Sequence, residues 1–110
     1  MYWEDKVRRR FSGTGVGTNA GVTVTEAAGT GSAKHSVTGI QCSGDLAALV
    51  TIESPANTVL YRKRMTGTGW VLSEQFPIGA IVGSAAGAIL VKVSASTANS
   101  EANLQGVTVS

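Results

Sequence analysis

The chain of 110 residues contains one cysteine, Cys42, and one histidine, His35. A lone cysteine excludes an intrachain disulfide and any cysteine-rich metal site, and the chain does not look built for an oxidising compartment. A lone histidine leaves little for nucleophilic or acid–base catalysis, which needs a base beside a nucleophile. The sequence offers it only Lys34 and Ser36 as neighbours, on what reads as an exposed strand start. Asp45 could orient it, but no G-x-S-x-G elbow supplies a serine. The carboxylates Glu26, Asp45, Glu53, Glu74 and Glu101 stand singly, so neither a glycosidase pair nor a calcium loop is written. The residues therefore predict a protein that is not an enzyme and holds no cofactor and no metal.

Charge is also scarce, at 15 % of residues. A free-standing monomer normally carries a well-charged surface, so part of this one is expected to be buried against other chains. The first residues lack the apolar core of a signal peptide, and no N-x-S/T sequon occurs; synthesis inside the cell is the expectation. Leu, Ile and Phe are thin beside Val, Ala, Gly and Thr, a balance that suits valine-rich strands and glycine turns better than helices.

Period-two alternation runs through the chain after residue 20. Val22 and Val24 oppose Thr23 and Thr25; Leu46, Ala48, Val50 and Ile52 oppose Ala47, Leu49, Thr51 and Glu53. Val37 and Ile40 bracket Gly39, which predicts a bulge. "SPAN" at 54–57 and "TGTG" at 66–69 read as turns. Val59, Tyr61, Lys63 and Met65 oppose Leu60, Arg62 and Arg64; Ile89, Val91 and Val93 oppose Leu90 and Lys92. Trp70 opens an apolar strand after a tight turn and is assigned to the core, and a last strand covers Leu104 to Val109. About seven or eight short strands with regular turn signals predict an all-β fold, an antiparallel β-sandwich or jelly-roll-like barrel.

One stretch, "FPIGAIVGSAAGAILV" at 76–91, is uncharged and spaces Gly79, Gly83 and Gly87 as in packed membrane helices. Its sixteen residues fall short of the roughly 20 a span needs. The expectation is a short buried strand, a Gly-Ser-Ala loop and a second strand, with no membrane partner.

The beginning of the chain reads differently. Tyr2, Trp3 and Phe11 flank a basic run of Lys6, Arg8, Arg9 and Arg10, which predicts an N-terminal arm or strand extension over residues 1–12, ordered by docking on a partner. Residues 13–21, "GTGVGTNAG", contain a G-x-G-x-x-A pattern. A dinucleotide site needs a buried strand before those glycines and a helix after them. Arginines precede them here and the strand-like "GVTVTE" follows, so a hinge is the expectation, leading into one β-domain over residues 22–110.

Arg8-Arg9-Arg10 and Arg62-Lys63-Arg64 hold six of the nine cations. With Tyr2, Trp3 and Tyr61 they make the charge-plus-aromatic mix of nucleic-acid surfaces. Alternation splits the second cluster, however, leaving Arg62 and Arg64 on one face and Lys63 on the other. The net charge is only +2, where a dedicated nucleic-acid domain shows a larger excess. Nucleic acid is thus disfavoured, against an acidic protein neighbour or solvated edge-strand charge.

The stretch "HSVTGIQCSGDLAALVTIESPANTVLYRKRM", with "SEQFPIGAIVGSAAGAILVKVSAST" and "EANLQGVTVS", resembles small tailed-phage virion proteins over residues 34–110. Those are similar in size and build to capsid decoration, or cement, proteins. The resemblance implies a β-sandwich or jelly roll that is made in the host cytoplasm and works by adhesion on the outside of the capsid. Its implied partners are the major capsid protein and further copies of itself, commonly as a trimer. On that reading Tyr2, Trp3, Arg8, Arg9, Arg10, Phe11, Arg62 and Arg64 are the candidate contact residues, since Trp, Tyr and Arg are enriched at binding hot spots. A tail-associated module gripping carbohydrate through Trp3, Trp70 and Tyr61 is the other reading.

Overall fold

Alternation in the sequence becomes alternation in burial. Val22 and Val24 are buried and Thr23 and Thr25 exposed; Ile89, Val91 and Val93 are buried to within 1 % of full coverage. The computed structural model describes residues 8–94 and 98–109. They form eight strands and no helix: β1 (Arg8–Gly17), β2 (Val22–Glu26), β3 (Lys34–Gly44), β4 (Ala48–Glu53), β5 (Val59–Met65), β6 (Trp70–Gln75), β7 (Ile89–Ser94) and β8 (Ser100–Val109).

The strands make two four-stranded antiparallel sheets, in the order β1-β8-β3-β6 (sheet A) and β2-β7-β4-β5 (sheet B). β1 pairs with β8, β2 with β7, β3 with β6 and β4 with β5. The chain is therefore one long hairpin, folded at the β4–β5 turn and wound around a common core. That winding is the jelly-roll form of the β-sandwich. Val37, Ile40 and Leu104 of sheet A meet Val50, Ile52 and Ile89 of sheet B across the core, all at 1 % exposure or less. Cys42 lies there too, and burial pushes its thiol up to about 11.

The bulge expected at Gly39 is present, as a register shift between Val37 and Gly39. Other expectations are corrected. The glycine run is no hinge: residues 13–17 complete β1, paired with β8 along its full length, and only residues 18–21 turn. Gly13 and Gly15 face Val24 and Val22, where an added Cβ would lie 2.9 and 2.8 Å from the valine methyls. Glycine sits there because the edges of the two sheets approach too closely for a side chain. Of the arm or strand extension expected over residues 1–12, residues 8–12 take the strand form as part of β1, and residues 1–7 lie outside the described residues; the β-domain begins before residue 22.

Of the strand, loop and second strand expected over 76–91, the second strand is present as β7 from Ile89, but the short first strand after β6 is not. Pro77, the positive φ of Gly79 (94°) and that of Ala86 (54°) break any strand, leaving a loop over 76–88 with one isolated bridge, Val82 to Ser36. Its backbone bonds the first half of β3, which β6 does not reach, through Val37 N to Ile81 O (2.9 Å) and Gly83 N to His35 O (2.9 Å). Among the described residues no helix is long and apolar enough to cross a membrane.

Candidate functional site

β5 is a free edge of sheet B, and its outward residues share rows with β4 and β7. One row runs Arg62–Thr51–Lys92–Thr23, the next Arg64–Leu49–Ser94, and on the other side Val59–Glu53–Leu90–Thr25. Residues paired across antiparallel strands project to the same side of the sheet. Arg62, Lys92 and Arg64 thus stand together on the outer face of sheet B. Arg62 and Arg64 are exposed and Lys92 half-buried. Lys92 escaped the basic-cluster reading because it is isolated in sequence; its place opposite Ile89, Val91 and Val93 was the available signal.

Glu53 lies in the same face at 5 % exposure, covered by its neighbours rather than by depth. Its Oε2 accepts from Thr51 Oγ1 (2.6 Å) and its Oε1 from Asn57 N–H (2.7 Å). The Thr51 hydroxyl first, then the Asn57 N–H, then the charges of Lys92 and Arg62, hold its carboxyl below the ordinary glutamate range, against the opposing effect of burial. The carboxylate stabilises the 54–58 turn and leaves the three cations in excess. Because the folded pKa is depressed, Glu53 adds stability above the ordinary glutamate range and loses it as pH falls through the lowered value. Glu53→Gln is expected to cost about 1 kcal/mol at neutral pH. Urea midpoints of variant and wild type should converge on acidification.

Lys63 projects inward from the β5 edge, opposite Val50 yet exposed. An inward charge on a free edge deters pairing with another sheet. The two basic tripeptides do not meet: β1 and β5 occupy opposite flanks of the sandwich. Arg9 and Arg10 are exposed, and the side chain of Arg8 is outside the described residues, as are Tyr2 and Trp3. Phe11, one of the candidate contact residues, is half-buried and packs on the core, edge-on to His35 at 5.2 Å between ring centroids.

His35 is no surface residue. It is 3 % exposed, with Nδ1 2.7 Å from Thr108 Oγ1 and Nε2 2.7 Å from the Ala27 carbonyl, so that Nε2–H donates. Asp45 lies at the opposite end of β3, about 30 Å along the strand, and cannot orient it. The aromatic platform does not assemble either. Trp70 is buried, its Nε1–H donating to Leu46 O (2.6 Å), and Tyr61 is half-buried edge-on to Phe76 (5.3 Å). Among the described residues no group of three His, Cys, Asp or Glu side chains could hold a metal.

Comparison with known protein families and with curated proteins gives no match for this chain.

Proposed function

We propose that this chain is a non-enzymatic structural protein of a phage virion. It seats the cationic outer face of sheet B on an acidic patch of the major capsid protein, on the outside of the particle, and bridges neighbouring subunits there. The observation that carries this reading is the grouping of Arg62, Arg64 and Lys92 in two adjacent rows of one rigid sheet. The sole histidine is engaged in the core and offers no general base. The jelly-roll winding is common to viral capsid and lectin domains, which supports the reading by analogy of fold alone.

Exposed ion pairs contribute about 0.2–1 kcal/mol each, so one copy holds weakly. Many copies on a repeating lattice hold by multivalency. The same face carries no aromatic side chain on which bases could stack, which weighs against nucleic acid. Carbohydrate loses the support of an aromatic platform, since Trp70 is buried.

Occupancy on capsids stripped of this chain tests the proposal. Arg62→Glu with Lys92→Glu is expected to weaken binding at least about tenfold, the scale of a few lost charge contacts. Undiminished occupancy would overturn it. A chain lacking residues 1–7 tests Tyr2 and Trp3 separately without cutting β1.

A further inference from the structure

Sheet A turns a different surface outward. From one end of the strands to the other its rows run Arg10–Val107–Ser36, then Ser12–Gln105–Gly39–Gln75, then Thr14–Asn103–Gln41–Ser73, then Val16–Glu101–Ser43–Val71. Lys34 lies beyond the first row and Asp45 beyond the last. Charge is confined to the two ends, positive at one and negative at the other. Between them lie only amides, hydroxyls and a glycine.

The apolar groups are divided in the same way. At the acidic end Val16 and Val71 stand 71 % and 74 % exposed. At the basic end Ile78 (49 % exposed), Val107, Phe11 and Arg10 line a hollow of about 500 Å³.

We infer that this face binds the same face of a second copy about a two-fold axis. The axis lies in the interface, across the strands, beside the position of Gly13. The Arg10 row and the Val16 row are each three residues from that point, about 10 Å. The rotation keeps each strand over its own counterpart and exchanges the ends. Glu101 then comes over Val107 and Arg10 of the second copy, Val71 over Ile78, and Asp45 over Lys34. Each contact occurs twice, as an isologous interface requires.

The central amides and hydroxyls supply donors and acceptors to one another at the roughly 10 Å spacing of stacked sheets. The face measures roughly 30 by 15 Å, so the two copies together bury about 900 Å², the size of a weak, transient interface rather than of a stable one. Association of modest strength and marked salt sensitivity follows. The pair has two copies, not the three that the resemblance implies, and leaves the cationic face of sheet B free on both.

Sedimentation equilibrium of the full chain at low salt tests this. Wild type is expected at two-chain mass, dissociating on addition of salt. Arg10→Glu and Glu101→Arg should each weaken association at least about tenfold, and the two together should restore it, because the swapped pair meets again across the axis. Circular dichroism confirms that each variant is folded. A one-chain or three-chain mass for the wild type overturns the inference, as does indifference to the single reversals or a double variant no better than either. Capsid occupancy of the Arg62 and Lys92 variants reads the other face, so the two readings fail separately.

Discussion

Gly106→Ala is expected to lower the unfolding free energy by about 3 kcal/mol, with Tm falling by more than about 10 °C. Gly106 lies in β8 between β1 and β3, paired with Phe11 on one side and Val37 on the other. A Cβ built there overlaps the tip of the Phe11 ring and the Ser36 carbonyl, and comes within 2.8 Å of Phe11 Cε2. The ring could swing only by leaving its edge-on contact with His35, and the carbonyl belongs to a backbone pinned in the sheet. Neither neighbour can yield cheaply, so one methyl must separate β8 from β3 or expel the ring. Gly67 is the control. Its φ of 87° is left-handed, but nothing lies within 4 Å of an added Cβ, so Gly67→Ala should cost only the conformational 1–2 kcal/mol or so. Thermal unfolding followed by circular dichroism separates the two, and a Gly106 variant no worse than the Gly67 variant would refute the crowding.

His35→Ala should cost about 3–4 kcal/mol, from the cavity left by the ring and the loss of two buried hydrogen bonds. A surface histidine would change stability by no more than about 0.5 kcal/mol. The ring joins four segments: its own strand β3, β8 through Thr108, the β2–β3 connection through Ala27, and β1 through Phe11. Its removal should therefore also loosen the connection after β2. Urea unfolding measures the first effect. Amide exchange of residues 27–33, faster in the variant by more than global destabilisation accounts for, measures the second. A loss below about 0.5 kcal/mol would put the histidine back on the surface.

The two substitutions bear on how this sequence encodes its fold. β4 and β7 were legible because both have one buried and one outer face, and Val50, Ile52, Val91 and Val93 mark the inner side at a period of two. β1 was not legible, because its inner positions Gly13, Gly15 and Gly17 carry no side chain to mark a face. Glycine is the usual sign of a turn, and here it is what lets β1 lie against β2. Phe76–Ala88 misled in the opposite sense: its apolar residues suggested a strand, while Pro77 and the left-handed Gly79 and Ala86 prevent one.

The candidate surfaces divide in the same way. Alternation alone put Arg62 and Arg64 on one side of β5 and Lys63 on the other. Lys92 joins them only because β4 lies between β5 and β7, a neighbour relation between strands far apart in the chain. Burial of His35 depends equally on Thr108, 73 residues away.

By itself, then, the sequence determined the all-β class, most strand faces, the turns at 54–57 and 66–69, the bulge at Gly39 and the core place of Trp70. Those follow from local chemistry, because side-chain direction in a strand depends only on parity, and turns on the residues within them. Only the tertiary structure decided the jelly-roll winding, the strand made of glycines, the buried histidine and the segregation of charge on the outer faces. Each of these depends on which strands become neighbours, and that is settled by the joint packing of the two inner faces, a property no short window of residues contains.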